Sequence, residues 1–407
     1  MASSVTPEGY KDTILGVVPQ EWNIRCLGDL LSRCTNGLTY NVSISNGIPV
    51  TRIETISTGE INYAKVGHIQ NSVGYEDFRM QKGDILYSHI NSLSQIGKVA
   101  YYNGKKEIYH GMNLLLLRAN QCLNKQYLYY MLLTTYMRHM AQVIAKPAVN
   151  QASISTRDLK KIKIPVPPLS EQQKIAEVLS TWDKAIEKQS QLIEKLELRK
   201  KGLMQQLLTG KKRLPGFSSE WKTMKLGELF DERNETNMPA LPLLSITANK
   251  GIILQTESEK KNTSNDDKSK YKRICPNDIG YNTMRMWQGR CALSKLEGIV
   301  SPAYTIIIPH NNINPYYMEM LFKQPFMVYR FWTHSQGLVN DTLNCKFPSF
   351  SQVKVIIPDL KEQNAIIEIL LSCDTEITLA NQRFESLRQQ KKGLMQVLLT
   401  GKNRVIR

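Results

Sequence analysis

Two stretches of this chain carry apolar residues at alternating spacings of three and four over about five heptads. The first set of seven-residue steps is Ile175, Trp182, Gln189, Leu196 and Leu203, interleaved with Leu179, Ile186, Ile193, Lys200 and Leu207. The second is Ile366, Cys373, Ala380, Leu387 and Leu394, interleaved with Leu370, Ile377, Phe384, Lys391 and Leu398. A seam of that length marks a coiled coil, not a short surface helix. Each stretch follows a proline-bearing segment and stops at a glycine, Gly210 or Gly401, which are ordinary helix boundaries. The spacing predicts two helices of about 38 residues, roughly 55 Å each at 1.5 Å per residue. Matching seams make each helix the other's partner, and a pseudo-two-fold axis then pairs them antiparallel. The alternative is two unrelated amphipathic helices, each covering the core of its own domain. Lys200 and Lys391 occupy seam positions and are expected to snorkel outward where the seam opens near its end.

Outside these helices the period changes. Short runs such as "GDILYSHI", "IGKVAYY", "NLLLLRA" and "AYTIIIP" alternate with turn residues and read as strands. Each half adds one helical stretch, "NKQYLYYMLLTTYMRHMAQVI" or "NPYYMEMLFKQPFMVYRFW". The chain therefore reads as α+β. Two mixed α/β domains span 21–165 and 214–357, with an N-terminal segment 1–20, a central helix region 166–213 and a C-terminal helix region 358–407.

The two halves are copies. "KKGLMQQLLTGKKR" at Lys200 returns as "KKGLMQVLLTGKNR" at Lys391, and the match runs without a gap from Glu171 and Glu362 to Gly210 and Gly401. Solenoid repeats recur every 20 to 50 residues; this far longer period means two domain-sized units. Upstream, across insertions, "GDILY" at Gly83 answers "NDIGY" at Asn277, and Gly97-Lys98 answers Gly289-Arg290. "EWNIRCLGDL" at Glu21 answers "EWKTMKLGEL" at Glu220.

Charge narrows the function. The 407 residues hold 53 Lys and Arg against 36 Asp and Glu, a net +17, which favours a polyanionic partner. No apolar run reaches the 18 to 20 residues of a membrane span, and the first residues lack the pattern of a signal peptide. Nucleic acid is therefore preferred to a membrane surface, and a cytoplasmic location is expected. Seven cysteines without a C-x-x-C read as reduced thiols. Polar loops between the strands supply the candidate DNA contacts. They are Arg52, Asn91, Gln95, Lys98, Asn150 and Gln151 in the first half, and Lys250, Lys272, Arg285, Trp287, Gln288, Arg290, Asn340 and Asp341 in the second. Arg and Lys suit guanine O6 and N7, Asn and Gln suit adenine N6 and N7, and the remaining cations neutralise phosphates. Lys98 corresponds to Arg290, and Asn150-Gln151 to Asn340-Asp341. Differing loops on one repeated frame are what two readers of different sequences require.

Catalytic motifs do not assemble. "NPYY" at Asn314 lacks the second proline of an amino-methyltransferase motif, and no F-x-G-x-G donor loop accompanies it; Asn314 as helix cap with Pro315 after it explains the stretch. "PDLKEQ" at Pro358 finds no Glu-x-Lys partner of a nuclease site. The six histidines have no metal-ligand spacing, and no Walker loop is present. These absences point to a binding subunit.

The chain resembles the specificity subunit of type I restriction–modification systems. The resemblance rests on "PPLSEQQKIAEVLSTWDKAI…KKGLMQQLLTGKKR" and its second copy, "GYKDTILGVVPQEWNIRCLGDL", and "SKYKRICPNDIGYNTMRMWQG…GIVSPAYTI". It covers nearly the whole chain; the first domain departs from it in having "GDILYSHINSLSQIGK" where the second has the W-Q-G form. It implies two target recognition domains separated by an antiparallel coiled coil, each reading one half of an asymmetric bipartite DNA sequence. The helix length would set the unread spacer, and the same helices would dock two modification subunits. It places S-adenosylmethionine in those adenine-methylating subunits, ATP and Mg in restriction subunits, and no cofactor or chemistry in this chain. A DNA-binding protein of architectural or repressor type acting alone, a coiled-coil scaffold, and a self-sufficient methyltransferase are the rival readings.

Overall fold

The computed structural model describes residues 6–40, 46–70, 74–149, 151–247, 250–258, 266–337 and 342–405. They form two compact units, Met1–Ser190 with Arg383–Arg407, and Gln191–Gln382.

Each unit is built on a four-stranded antiparallel sheet. In the first the order is Leu31–Asn36, Leu115–Ala119, Ile85–Tyr87, Val99–Tyr101. In the second it is Phe230–Glu232, Tyr304–Pro309, Ile279–Asn282, Cys291–Leu293. The order is the same element for element, so the repeat covers topology as well as helices. "GDILY" and "NDIGY" supply the inner strand each time. The buried aspartate ahead of that strand is met by a guanidinium: Arg118 Nε lies 2.7 Å from Asp84 Oδ1, and Arg233 Nε 2.7 Å from Asp278 Oδ2. A buried carboxylate is tolerated when it is paired and bonded in this way.

The helical stretch of each half differs from expectation. It is two helices in each unit, Lys125–Leu132 with Thr135–Ile144, and Pro315–Phe322 with Pro325–His334. Thr134 is extended and its hydroxyl accepts from the Met137 N–H, starting a new helix. Pro325 in the second unit cannot continue the hydrogen-bond ladder, so the break falls at Lys323-Gln324. Asn314 caps as expected, its side chain accepting from Tyr316 and Tyr317 N–H ahead of Pro315.

The long helices are Leu169–Leu207 and Leu360–Leu398, 39 residues each. Every seam position named above is at least partly buried, and its exposed neighbours alternate with it as a heptad requires. Their ends are also part of the globular cores. Ile175 and Leu179 pack with Leu398, Leu399 and Leu394 in the first unit, while Leu207, Leu208 and Leu203 pack with Ile366 and Leu370 in the second. In each unit the start of one helix thus runs against the end of the other, antiparallel.

The seam lysines do not snorkel. Lys391 Nζ lies 2.5 Å from Asp183 Oδ1 and 5.1 Å from the centre of the Tyr130 ring, and the Tyr130 hydroxyl donates to Asp183 at 2.6 Å. Lys200 Nζ lies 2.5 Å from Asp374 Oδ1. Asp183 and Asp374 are equivalent repeat positions. A facing carboxylate holds each ammonium in place, which removes the reason to reach for solvent.

One further device is duplicated. Glu171 accepts from the Trp22 indole at 3.0 Å and from Arg404 at 3.2 and 2.9 Å. Glu362 accepts from the Trp221 indole at 3.2 Å and from Arg213 at 2.6 and 2.7 Å. The next residue, Gln172 or Gln363, donates to Pro167 or Pro358 carbonyl at 2.9 Å and accepts from the Asn124 or Asn314 N–H at 2.7 or 2.8 Å. The repeated "EW", "EQ" and the arginine closing "TGKKR" and "TGKNR" are therefore one box in each unit, tying the helix start to the sheet domain.

Candidate nucleic-acid interface

In the second unit the inner strand Ile279–Asn282 runs into a tight turn, and this turn carries most of the predicted contacts. Asn282 accepts from the Met284 N–H at 3.0 Å, and the Trp287 indole donates to the Met284 carbonyl at 2.9 Å. Gly289 closes the turn at φ +70°, where a Cβ would crowd Val328 at 3.1 Å. The result is a cleft of about 670 Å³ lined by Lys250, Arg285, Gln288 and Arg290, together with Asn282, Tyr304 and Lys323. Four of the predicted residues meet there. Glu257 is the one acidic side chain lining it, so the cleft is cationic. Burial pushes the Tyr304 hydroxyl up from its ordinary value, keeping it a donor.

Two other predictions fall elsewhere. Trp287 is absent from the cleft lining; its indole holds the turn together. Lys272, on the strand Lys272–Ile274, faces Glu232 at 3.4 Å. Asn340 and Asp341 lie outside the described residues.

The first unit arranges its loops on a small sheet, Lys146–Ala148, Gln151–Ser153 and Ile90–Asn91 in that order. Ala152 stands opposite Asn91, which brings Asn91 and Gln151 to one sheet, with Gln95 exposed on the following turn. Arg138 donates to the Ser94 carbonyl at 2.8 Å and so anchors that turn. The correspondence of Lys98 with Arg290 is geometric. The Lys98 carbonyl accepts from Ser88 N–H at 2.8 Å as that of Arg290 accepts from Asn282 N–H at 3.1 Å, each after a left-handed glycine, Gly97 at φ +79° and Gly289 at +70°. Their side chains differ in circumstance. Arg290 is exposed, whereas Lys98 Nζ donates to the Ser57 carbonyl at 2.7 Å. Arg52 lies against the Tyr40 ring at 5.7 Å and Glu54 at 3.4 Å. Asn150 lies outside the described residues. Beside Asn91, burial lowers His89 to about 4, so its ring is neutral at neutral pH.

Sequence reasoning missed Asn282, Tyr304 and Lys323 in the cleft and Arg138 behind the turn. They come from four separate elements with no shared local motif; only Asn282, directly after "NDIGY", carried a signal. Among the described residues no cluster of three or more His, Cys, Asp or Glu is placed to hold a metal ion. No helix among them is long and apolar enough to cross a membrane.

Known proteins share this plan. Residues 19–198 and 218–389 each match the family described as the type I restriction modification DNA specificity domain. A protein of Methanocaldococcus jannaschii assigned as the MjaX type I restriction enzyme specificity subunit is 34% identical over 98% of this chain and 97% of its own. The solved type I restriction–modification S subunit of M. genitalium has a TM-score of 0.54 at 16% identity, covering 93% of this chain and 96% of that one. A chain solved in work on complex assembly and conformational transition of the type I R-M system gives a TM-score of 0.59 at 16% identity, covering 95% and 99%.

Proposed function

This chain belongs to the type I restriction–modification DNA specificity family, and from that premise we propose that each unit reads one part of an asymmetric two-part DNA target for partner subunits. One observation carries the reading: the same sheet order, helix box and glycine turn occur twice, while the side chains presented around them differ. In the second unit Arg285, Arg290 and Lys250 suit guanine edges or phosphate, and Gln288 suits adenine. In the first, Asn91, Gln95 and Gln151 suit adenine, and Lys98 orders its loop beside them. The rest of the positive surplus neutralises phosphates and gives binding its salt dependence.

The chemistry belongs to the partners. Two modification subunits carrying S-adenosylmethionine methylate adenine, and restriction subunits use ATP and Mg; this chain selects the site and catalyses nothing. The paired long helices set the unread spacer, as dimer geometry sets half-site spacing in other DNA-binding proteins. The work is done in the cytoplasm, where DNA and these partners meet.

Mapping methylated adenines across the genome, with and without this chain and with the modification subunit present, tests the reading. Loss of methylation at one bipartite motif on deletion is the expected result. If no adenine motif depends on the chain, the recruiting role fails and a DNA-binding protein acting alone takes its place.

A further inference from the structure

Lys200 to Gln205 and Lys391 to Gln396 are six consecutive residues identical in both helices, whose other positions differ widely. The fold accounts for the inward half. Lys200 and Lys391 pair with Asp374 and Asp183, and Leu203 and Leu394 pack against the cores. It does not account for the outward half. Lys201, Gln205, Lys392 and Gln396 are exposed, and among the described residues their side chains have no hydrogen-bond or ion-pair partner. Between them stand Gly202 and Gly393, in ordinary helical conformation, and a Cβ built on either meets nothing within 4 Å. No turn and no packing within the chain calls for glycine there, although glycine is the poorest helix former after proline. A groove borders each face within its own unit. One, of about 1240 Å³, is lined by Lys392, Met395 and Gln396 with Leu133 and Thr135. The other, of about 470 Å³, is lined by Lys201, Met204 and Gln205 with Gln324 and Pro325.

We propose that each of these two faces docks one copy of the modification subunit, whose main chain passes over Gly202 or Gly393 in van der Waals contact and whose acidic side chains meet Lys201 or Lys392. Two like faces fit a partner present in two copies. A missing Cβ admits close approach of a partner's backbone; a phosphate strand would call for the lysines but has no use for the glycine. The proposal rests on the reading of this chain as one that recruits modification subunits.

The test uses the full chain and the modification subunit of the same system, with complexes sized by light scattering. The wild-type chain is expected to bind two copies, Gly202→Leu or Gly393→Leu one, and the double variant none, with affinity down at least about 100-fold. Gly202→Ala and Gly393→Ala keep or raise the melting temperature while weakening the partner about tenfold, which separates docking from folding. Lys201→Glu with Lys392→Glu weakens the partner without that change in the helix. Double variants that still take two copies at unchanged affinity overturn the docking face alone. A wild-type chain that takes none overturns the recruiting role as well. If the lysine reversals weaken DNA binding by the isolated chain instead, the face is a phosphate contact and the proposal is wrong.

Discussion

Acid should disable the first unit before the second, and His110 sets the size of the effect. Its ring is fully buried, with Nε2 2.9 Å from the Leu114 carbonyl and Nδ1 without a partner. Protonation would add an N–H at Nδ1 with nothing to receive it. Burial therefore lowers this histidine from its ordinary 6.5 to about 4, the Arg33 charge acting in the same direction. Because the folded value is depressed, the unfolded chain binds more protons between roughly pH 6.5 and 4. Stability is thus full above that window and falls as pH drops through it. At pH 5 the unfolded imidazole is almost wholly protonated and the folded one about a tenth, a loss of about 2 kcal/mol. His89 is lowered by burial as well and adds in the same sense. The second unit buries no histidine: His310 is partly exposed and His334 exposed. Buried carboxylate pairs are matched between the units, Asp84 with Arg118 and Asp278 with Arg233, so the contrast follows the imidazoles. Urea unfolding at pH 7 and 5, read by hydrogen exchange in the strands Leu115–Ala119 and Tyr304–Pro309, would measure it. His110→Phe should be less stable at pH 7, because the Leu114 carbonyl loses its donor, yet lose about 2 kcal/mol less on going to pH 5. Equal acid loss in both units, or an unchanged pH dependence in the variant, refutes the reasoning.

Arg290→Ala should cost about 1 to 3 kcal/mol of affinity for one half-site only; equal loss on every DNA in a binding titration would make Arg290 a phosphate contact. Phe350→Ala should destabilise the second unit by about 3 to 5 kcal/mol, since the buried ring packs against Phe331, Tyr281, Phe230 and Phe322; denaturation with unit-resolved exchange checks it. Lys391→Met should cost about 1 kcal/mol more than Lys200→Met, because only Lys391 sits over a tyrosine ring; equal melting shifts would deny the ring a role. Removing one heptad from the central helix should change the unread spacer or abolish specific binding, and an unchanged methylation motif would rule out the helix as ruler.

The long helices were legible because a seven-residue seam is written in every turn, and the repeat because the copies match without a gap. The cap at Asn314 was legible from Asn-Pro alone. The break between paired short helices was not, because Thr134 starts a helix through its hydroxyl and reads in sequence as one more helical residue. The sheets were hard for another reason. Strands of three residues, such as Ile85–Tyr87, show no usable alternation, and their partners lie far along the chain. Distance also hid the Glu171 box, whose tryptophan and arginine stand 149 and 233 residues away. Of the candidate contacts, sequence located the turn from Arg285 to Arg290 through its tie to Gly97-Lys98. It could not show that Lys98 is spent on the Ser57 carbonyl, or that Trp287 braces its own turn, since both depend on where a loop folds back.

The helix ends that complete each core also impose an order on the protein's birth. Residues 191–382 form one continuous piece, and the second unit can close as soon as they leave the ribosome. The first unit cannot: Leu398 and Leu399 belong to its core, and Arg404 bonds both Glu21 and Glu171. The half that is made first is therefore finished last, and waits with an open apolar face until nearly four hundred residues have been translated. A premature stop in the final twenty codons, which would look harmless on a linear map, would leave the opposite end of the chain without its core.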